Sequence, residues 1–333
     1  MKLRVGILAT LGAALALYLV TYVGWRAVFL AAISVGSGGF AALCLCGLGL
    51  FLIMGCAWRV LLPPGYSCSA WVLVRARMVR DSVAEVLPLS QFGGIAAGVR
   101  AAILQGVPAP LACASMVVDV TAEMVAQIAY AALGVVILVT RVPYDLRPAS
   151  LITAALVGLA VATFAAALFV AVQRYGQVLT ARIAAPVLRG AGQTITGVSA
   201  ALDAIYRSQA RVVLATVLHF TAWIGHAAGA WLAFRLVGAR VDLLAVIAIE
   251  SLVYAIRSAA VLIPNALGVQ EAAYALLGPL FGVAPELALA VSVLIRARDI
   301  VIGVPVLLIW QAAEGRRVLA RIPVVAKSDD AGS

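Results

Sequence analysis

Long uncharged apolar tracts constrain this chain more than any other feature of its sequence. Four of them, residues 5–23, 27–57, 149–173 and 212–234, contain no Asp, Glu, Lys or Arg. About 20 apolar residues are enough for an α-helix to cross the hydrocarbon core of a bilayer. The whole chain is 65% hydrophobic and only 11% charged, whereas soluble domains are about one quarter charged. The sequence therefore predicts an all-α polytopic integral membrane protein.

Six transmembrane helices are predicted, at residues 5–23, 38–57, 111–139, 151–172, 212–234 and 287–313. The first tract also has the basic start of a secretory signal, but no small-x-small cleavage site precedes a soluble domain, so we interpret it as a retained helix. The last crossing must contain Arg296, Arg298 and Asp299, because its uncharged part, 300–313, is too short to span.

Two further apolar segments, 71–106 and 243–282, are broken in the middle by proline and glycine. The first contains Pro88 followed by Gly93 and Gly94, and the second contains Pro264 followed by Gly268. Proline lacks a backbone donor and glycine tolerates left-handed turns, so each pair predicts a helix break. Such a break must be buried in protein or line a wet cavity. We interpret both segments as re-entrant helical hairpins.

Basic residues concentrate in the loops that this topology places in the cytoplasm, among them Arg75, Arg77 and Arg80. The bias predicts cytoplasmic N- and C-termini in a cytoplasmic-type membrane, and hairpins that enter from opposite sides, as in inverted repeats around a transport site. Residues 1–313 form one transmembrane domain in this interpretation, and 314–333 form a basic, then polar tail. The linker 174–211 is predicted to be an amphipathic surface helix attracted to anionic lipid, or else a solvated linker.

Charged and amide side chains inside the apolar segments are candidates for a hydrated path across the membrane, since each is costly there unless paired or hydrated. On the third crossing Ser115, Asp119, Glu123 and Gln127 recur every four residues, so they share a helix face. The alternative role is interhelical ion pairing. The candidate pathway residues are Glu85, Gln91, Arg100, Asp119, Glu123, Glu250, Arg257, Asn265, Gln270, Glu271, Arg296, Arg298 and Asp299.

Arg100 and Glu271 are the favoured functional candidates, because each follows a helix break whose freed N–H groups suit polar or anionic groups. Glu271 could instead cap its half-helix. His219 and His226 share a face of the fifth crossing, and interior hydrogen bonding is favoured for them over metal binding or proton relay. The five cysteines show no metal-ligand spacing. No metal, cofactor or catalytic constellation is predicted, so we do not expect an enzyme.

The two broken tracts resemble the paired signatures of the lysylphosphatidylglycerol synthase transmembrane, or flippase-like, family. The signatures run from Leu87 and Pro88 through Gly93 and Gly94 to Arg100, and from Ile263 through Pro264 and Gly268 to Glu271. The resemblance covers nearly the whole chain. The second tract, continued to Gly278, is most similar to the hopanoid-biosynthesis-associated HpnL-type branch, although Asn265 and Ala266 replace a glycine-rich stretch that many members have.

The resemblance implies a bacterial inner-membrane protein that moves a lipid between leaflets, with hopanoids as the expected cargo, carried between leaflets or towards the outer membrane. Synthase members add a soluble aminoacyl-transfer domain, and the chain ends about 20 residues after the last crossing, so we do not expect synthase activity. The expected partners are membrane lipids and hopanoid-synthesis or lipid-export proteins. Nucleic acid is not expected, because loop arginines account for the net charge of +10.

Four other functions are compatible with the sequence. The first is a flippase of lysyl-phosphatidylglycerol-type phospholipids, and the second is a secondary transporter of a small solute, which shares the broken-helix design. The third is an intramembrane enzyme in which Asp119 and Glu123 hold a metal and a lipid phosphate. The fourth is a scaffold for lipid-synthesis enzymes.

Overall fold

The computed structural model describes residues 33–86, 91–146, 149–184, 192–260 and 266–320. Within these ranges the chain forms ten α-helices and two short 3₁₀ helices, and contains no strand, which confirms the all-α prediction. The helices are α1 Gly36–Leu61, α2 Ala70–Val86, α3 Gln91–Leu104, α4 Ala109–Arg141, α5 Ala149–Ala184, α6 Gly192–Tyr206, α7 Gln209–Leu236, α8 Leu243–Ala259, α9 Val269–Leu277 and α10 Pro285–Ala320.

Four helices are long and apolar enough to cross a membrane: α1, α4, α7 and the part of α5 from Ala155 to Gln173. They coincide with four of the six predicted crossings. The first predicted crossing, 5–23, lies outside the described residues. The last, 287–313, lies within the continuous 36-residue helix α10, whose apolar run is interrupted by three central charges.

The segment 71–106 folds as two packed helices, α2 and α3. A Cβ placed on Gly98 would lie 2.9 Å from Arg80 Cβ, and one placed on Gly94 would lie 2.6 Å from the Arg80 carbonyl oxygen. Gln105, directly after the end of α3, donates to the Val72 carbonyl near the start of α2 at 3.3 Å. The two helices α2 and α3 are therefore antiparallel. With 17 and 14 residues, both arms are shorter than a full span.

The segment 243–282 also folds as two contacting helices, α8 and α9. Asp242 caps α8 by accepting a hydrogen bond from the Ala245 N–H at 2.9 Å. The α9 helix begins after Gly268, whose φ of +79° lies in the left-handed region that favours glycine. The breaks themselves, with Pro88, Pro264 and Asn265, lie outside the described residues.

The two hairpins pack towards opposite ends of the same three helices, α1, α4 and α10. One apolar core surrounds α2 and α3 and includes Trp58 of α1, Met116 of α4 and Leu307 of α10. The other surrounds α8 and α9 and includes Leu43, Leu138 and Leu294 of those same helices. Leu43 and Trp58 are separated by about 22 Å along α1 at 1.5 Å per residue. The middle of the bundle therefore lies between two apolar cores.

The predicted amphipathic linker is mostly helical, with different bounds. The α5 helix continues to Ala184, beyond the expected membrane boundary at residue 172. The α6 helix packs its apolar face on the bundle, where Leu202 and Ile205 contact a cluster that contains Ala114 and Val118 of α4. Side chains 174–196 lie outside the described set.

Candidate functional site

A cavity of about 730 Å³ occupies the middle of the bundle, between the two apolar cores. Residues within 47–54 of α1, 120–127 of α4 and 298–303 of α10 line the cavity. Further lining residues come from α2, α3, α5, α7 and α8. The size suits a small-molecule or head-group site. Eight charged side chains line it: Arg77, Arg80, Asp81, Glu85, Glu123, Arg257, Arg298 and Asp299.

Arg77 is the centre of the charge network on the side of the first hairpin. Its side chain is buried and contacts three carboxylates: Nε donates to Asp81 at 2.7 Å, Nη1 to Asp119 at 3.0 Å and Nη2 to Glu123 at 2.5 Å. Charge-assisted hydrogen bonds of this kind offset the cost of burying the ions. One guanidinium thus joins α2 to two successive turns of α4.

Arg80 and His219 extend this network. Arg80 Nη2 lies 2.8 Å from Glu123 Oε2. His219 Nε2 lies 2.9 Å from Asp119 Oδ1, and both side chains are fully buried behind the cavity wall. His219 therefore makes the interior hydrogen bond that the sequence favoured. His226 lines the cavity, with Nδ1 3.4 Å from the Tyr254 hydroxyl.

The placement of Arg77 and Arg80 in a cytoplasmic loop was wrong. Both lie inside the uninterrupted helix α2 and are buried, whereas Arg75 on the other face is exposed. The physical reason is that the acidic stripe of α4 needs positive partners, and α2 supplies them. The signal was present in the sequence, since Arg77, Asp81 and Glu85 recur every four residues and match the spacing of the α4 stripe.

The second hairpin reaches the cavity through the last turn of α8. Arg257 Nη2 donates to both Glu85 oxygens, at 2.9 and 3.2 Å. Beside it, Gln127 of α4 donates to the Ser258 hydroxyl at 2.6 Å. Arg257 thus makes an interhelical ion pair, the role that the sequence left open beside a place in the pathway. This ion pair joins the first arms of the two hairpins across the cavity.

The α10 helix completes the charged wall. Arg298 is buried, and its Nε and Nη2 lie 3.0 and 2.8 Å from Asp299 Oδ1. A Cβ on Gly47 of α1 would lie 3.3 Å from Arg298 Cδ, so the absence of a side chain there gives the arginine room. The charges in the middle of α10 thus face the bundle interior, as intramembrane charges should.

Several predicted pathway residues lie elsewhere. Arg100 is exposed on α3 and pairs with Glu314 at 2.7 Å. Glu271 accepts from the Gly268 N–H at 2.8 Å and pairs with Arg296, also at 2.8 Å, so it caps α9 as the alternative proposed.

Two more are buried away from the cavity. Glu250 accepts a hydrogen bond from Tyr274, and Gln270 donates to Ser292 at 3.0 Å. The cavity thus contains Glu85, Glu123, Arg257, Arg298 and Asp299 from the predicted set, with Asp119 directly behind. The Gln91 side chain lies outside the described set.

These features define a polytopic α-helical membrane protein with a charged cavity between two broken helical hairpins. The chain belongs to the family described as the lysylphosphatidylglycerol synthase TM region, whose model matches residues 3–306. No curated protein and no solved structure matches the chain. Membership confirms the family resemblance and indicates a membrane protein related to lipids. The hopanoid-associated branch stays a prediction.

Proposed function

We propose that this protein moves a membrane lipid between the leaflets of a bacterial inner membrane. The head group passes through the central cavity while the tails stay in the surrounding lipid. The observation that carries the proposal is a charged cavity at the midpoint of α1, α4 and α10, between two apolar cores. A polar head group pays a large cost in hydrocarbon unless its hydrogen bonds are replaced. The cavity side chains supply that replacement.

The two hairpins form the two sides of this path. Their packing at opposite ends of α1, α4 and α10 supports re-entry from opposite faces of the membrane, with both chain termini in the cytoplasm. In this topology the Glu85–Arg257 pair lies where the first arms meet. A head group that enters from either face then encounters the same paired charges.

Charge balance in the cavity supports a hydroxyl-rich lipid of the hopanoid type. Four arginines and four carboxylates line the cavity, and every one of the four guanidiniums lies within 3.0 Å of a carboxylate oxygen. A phosphate would have to displace a carboxylate from its arginine. A polyol, in contrast, donates hydrogen bonds to carboxylate oxygens without breaking ion pairs. The similarity of residues 263–278 to the hopanoid-associated branch points to the same cargo.

The test is a leaflet-resolved lipid assay in proteoliposomes, with a polyol hopanoid and a phospholipid offered separately. Arg257→Ala removes the cavity pair with Glu85, and Arg100→Ala removes the exposed pair with Glu314. Both variants lose one arginine from an Arg–Glu pair of similar length, 2.9 and 2.7 Å. We expect wild type and Arg100→Ala to equilibrate the hopanoid at the same rate, and Arg257→Ala to lose most of that rate.

Other outcomes redirect the proposal. Acceleration of the phospholipid alone would replace the hopanoid with a phospholipid cargo. No acceleration of either lipid by folded wild-type protein would reject passive translocation and favour a solute transporter, a scaffold or a head-group enzyme. Loss of product formation on chelation would identify the enzyme.

A further inference from the structure

Glu250 differs from the other buried acids of the bundle. Its side chain is 2% exposed and sits in the middle of α8, between Ile249 and Ser251, which are also buried. The Tyr274 hydroxyl of α9 donates a hydrogen bond to it. Among the described residues, no arginine, lysine or histidine lies within ion-pairing distance of Glu250. The other acids inside the helical bundle each have such a partner: Asp81, Glu85, Asp119, Glu123, Glu271 and Asp299.

The absence of a cationic partner has a physical consequence. An ionised carboxylate buried without a counterion is strongly destabilising, and such a group usually takes up a proton instead. As a neutral acid, Glu250 can both accept the hydrogen bond from Tyr274 and donate its own proton. The environment of Glu250 therefore suits the protonated form, while that of its paired neighbours suits the ionised form.

A second observation is a buried polar group on α4 that packs against α8, in one cluster with Ile247 and Ala248. The Tyr130 hydroxyl of α4 is buried and has no hydrogen-bond partner among the described residues. Its ring stacks on Trp223 at 5.8 Å, and Trp223 contacts Tyr254 at 4.7 Å. A buried hydroxyl without a partner is costly, so this position suits a group or water that takes part in proton exchange.

We propose that Glu250 is a proton-binding site and that its proton exchanges with the cavity, which couples lipid translocation to protons. The coupling rests on the proposed function. Tyr254 lies one helical turn beyond Glu250 on the same face of α8, lines the cavity and approaches His226. The titratable and charged groups around Glu250 are Tyr130 of α4, Tyr254 and Arg257 of α8, Tyr274 of α9, and Arg298 and Asp299 of α10.

The proton balance is simple. The carboxylic acid releases its proton and becomes a carboxylate, while the Tyr254 hydroxyl accepts that proton and passes its own to Nδ1 of His226 or to cavity water. No oxidant or reductant takes part. The new negative charge on Glu250 then interacts with Arg298 and Arg257 of the cavity wall.

Infrared spectroscopy tests the proton site without any transport assay. Wild-type protein at neutral pH should show the C=O stretch of a buried protonated carboxylic acid. Glu250→Gln should remove the band, and Tyr274→Phe, which keeps the acid but deletes its hydrogen-bond donor, should shift it. The matched control is Glu271→Gln, which removes a paired acid of the same hairpin and should leave the band intact. A wild type without the band, or a band that persists in folded Glu250→Gln, would overturn the proposal.

Proteoliposomes with an imposed pH difference test the coupling. With one proton per lipid, a difference of one pH unit supports an about tenfold ratio of the lipid between leaflets. Wild type should build this ratio and lose it with a protonophore, whereas Glu250→Gln should only equilibrate the lipid. Translocation by wild type that ignores the pH difference would refute coupling while the proposed function stands. The infrared band without translocation of any lipid would retain the proton site and reject the proposed function.

Discussion

The two hairpins share a helix–break–helix plan but contribute opposite properties to the bundle. In the first hairpin, α2 carries five charged side chains and presents four of them to the cavity. In the second hairpin, α8 is buried continuously from residue 245 to residue 253 and lines the cavity only from Tyr254 onward. The first hairpin therefore supplies charges, and the second supplies an apolar wall that ends at the Glu85–Arg257 ion pair.

Backbone packing explains how the first hairpin accommodates so many charges. Gly94 and Gly98 of α3 let α2 approach closely, so that the apolar side of α2 is sealed and its charged side turns towards α4. The second hairpin instead uses a short α9, started by a left-handed glycine and capped by Glu271. The first hairpin therefore depends on close packing between its helices, and the second depends on the backbone conformation of its turn.

Removing the central cation of the first hairpin should have the largest effect. Arg77→Met leaves Asp81, Asp119 and Glu123 with one arginine fewer, and breaking a buried pair costs about 3–5 kcal/mol. We expect the largest loss of thermal stability in detergent, followed by circular dichroism. Arg75→Met, two residues away on the exposed face, is the control and should change little. Equal stability of the two variants would refute the buried network.

Adding a methyl group at the contact between α2 and α3 should have the next largest effect. Gly94→Ala places a Cβ 2.6 Å from the Arg80 carbonyl oxygen, and overpacking of this kind costs about 1–3 kcal/mol. Gly49→Ala in α1 meets nothing within 4 Å and should be neutral or stabilising. The same unfolding measurement compares them, and a Gly94→Ala protein as stable as Gly49→Ala would show that the hairpin is not closely packed.

Substitution of the corresponding glycine in the second hairpin should destabilise the protein for a different reason. Gly268→Ala meets no atom within 4 Å, but its φ of +79° is strained for an L-residue, at a cost of about 1–2 kcal/mol. Gly268→Asn should be destabilised in the same way, because the ψ of −34° at this position lies outside the left-handed helical well that asparagine tolerates. Thermal unfolding of wild type and the two variants checks this. A variant as stable as wild type would show that backbone conformation at this position is not the limiting factor.

The contact between the hairpins should give the smallest effect on stability. A double-mutant cycle of Glu85→Gln and Arg257→Met should show a coupling of about 1 kcal/mol, because the pair is partly buried. The cycle of Arg100→Met and Glu314→Gln should approach zero, since that pair is more exposed. Equal couplings would remove the distinction between the cavity pair and the surface pair.

The sequence predicted the apolar part of this architecture well. Long apolar runs located α1, α4, α7 and the apolar part of α5, because length and hydropathy alone decide whether a helix can cross a bilayer. Proline and glycine located both hairpins for a similar reason, since backbone restrictions are local. The periodic stripe of Asp119 and Glu123 correctly indicated a helix face turned to the interior.

The cavity composition was harder to predict because it depends on contacts between distant segments. In the sequence, Arg77 and Arg80 look like loop arginines, because their partner Asp119 lies more than 35 residues away. Arg100 and Glu271 show the converse, because a charge that follows a helix break need not face the cavity. Pairing, not the presence of a charge, determines which residues form the site.

A charge exchange across the cavity tests the central claim most directly. Translocation should be measured in proteoliposomes for Glu85→Arg, for Arg257→Glu and for the double variant, after each is shown to be folded. If the two hairpins form one path, each single change loses most of the translocation rate, because two like charges then face each other across the cavity, and the double variant regains it. Full activity of both folded single variants would contradict the account, since the path would then not pass between Glu85 and Arg257.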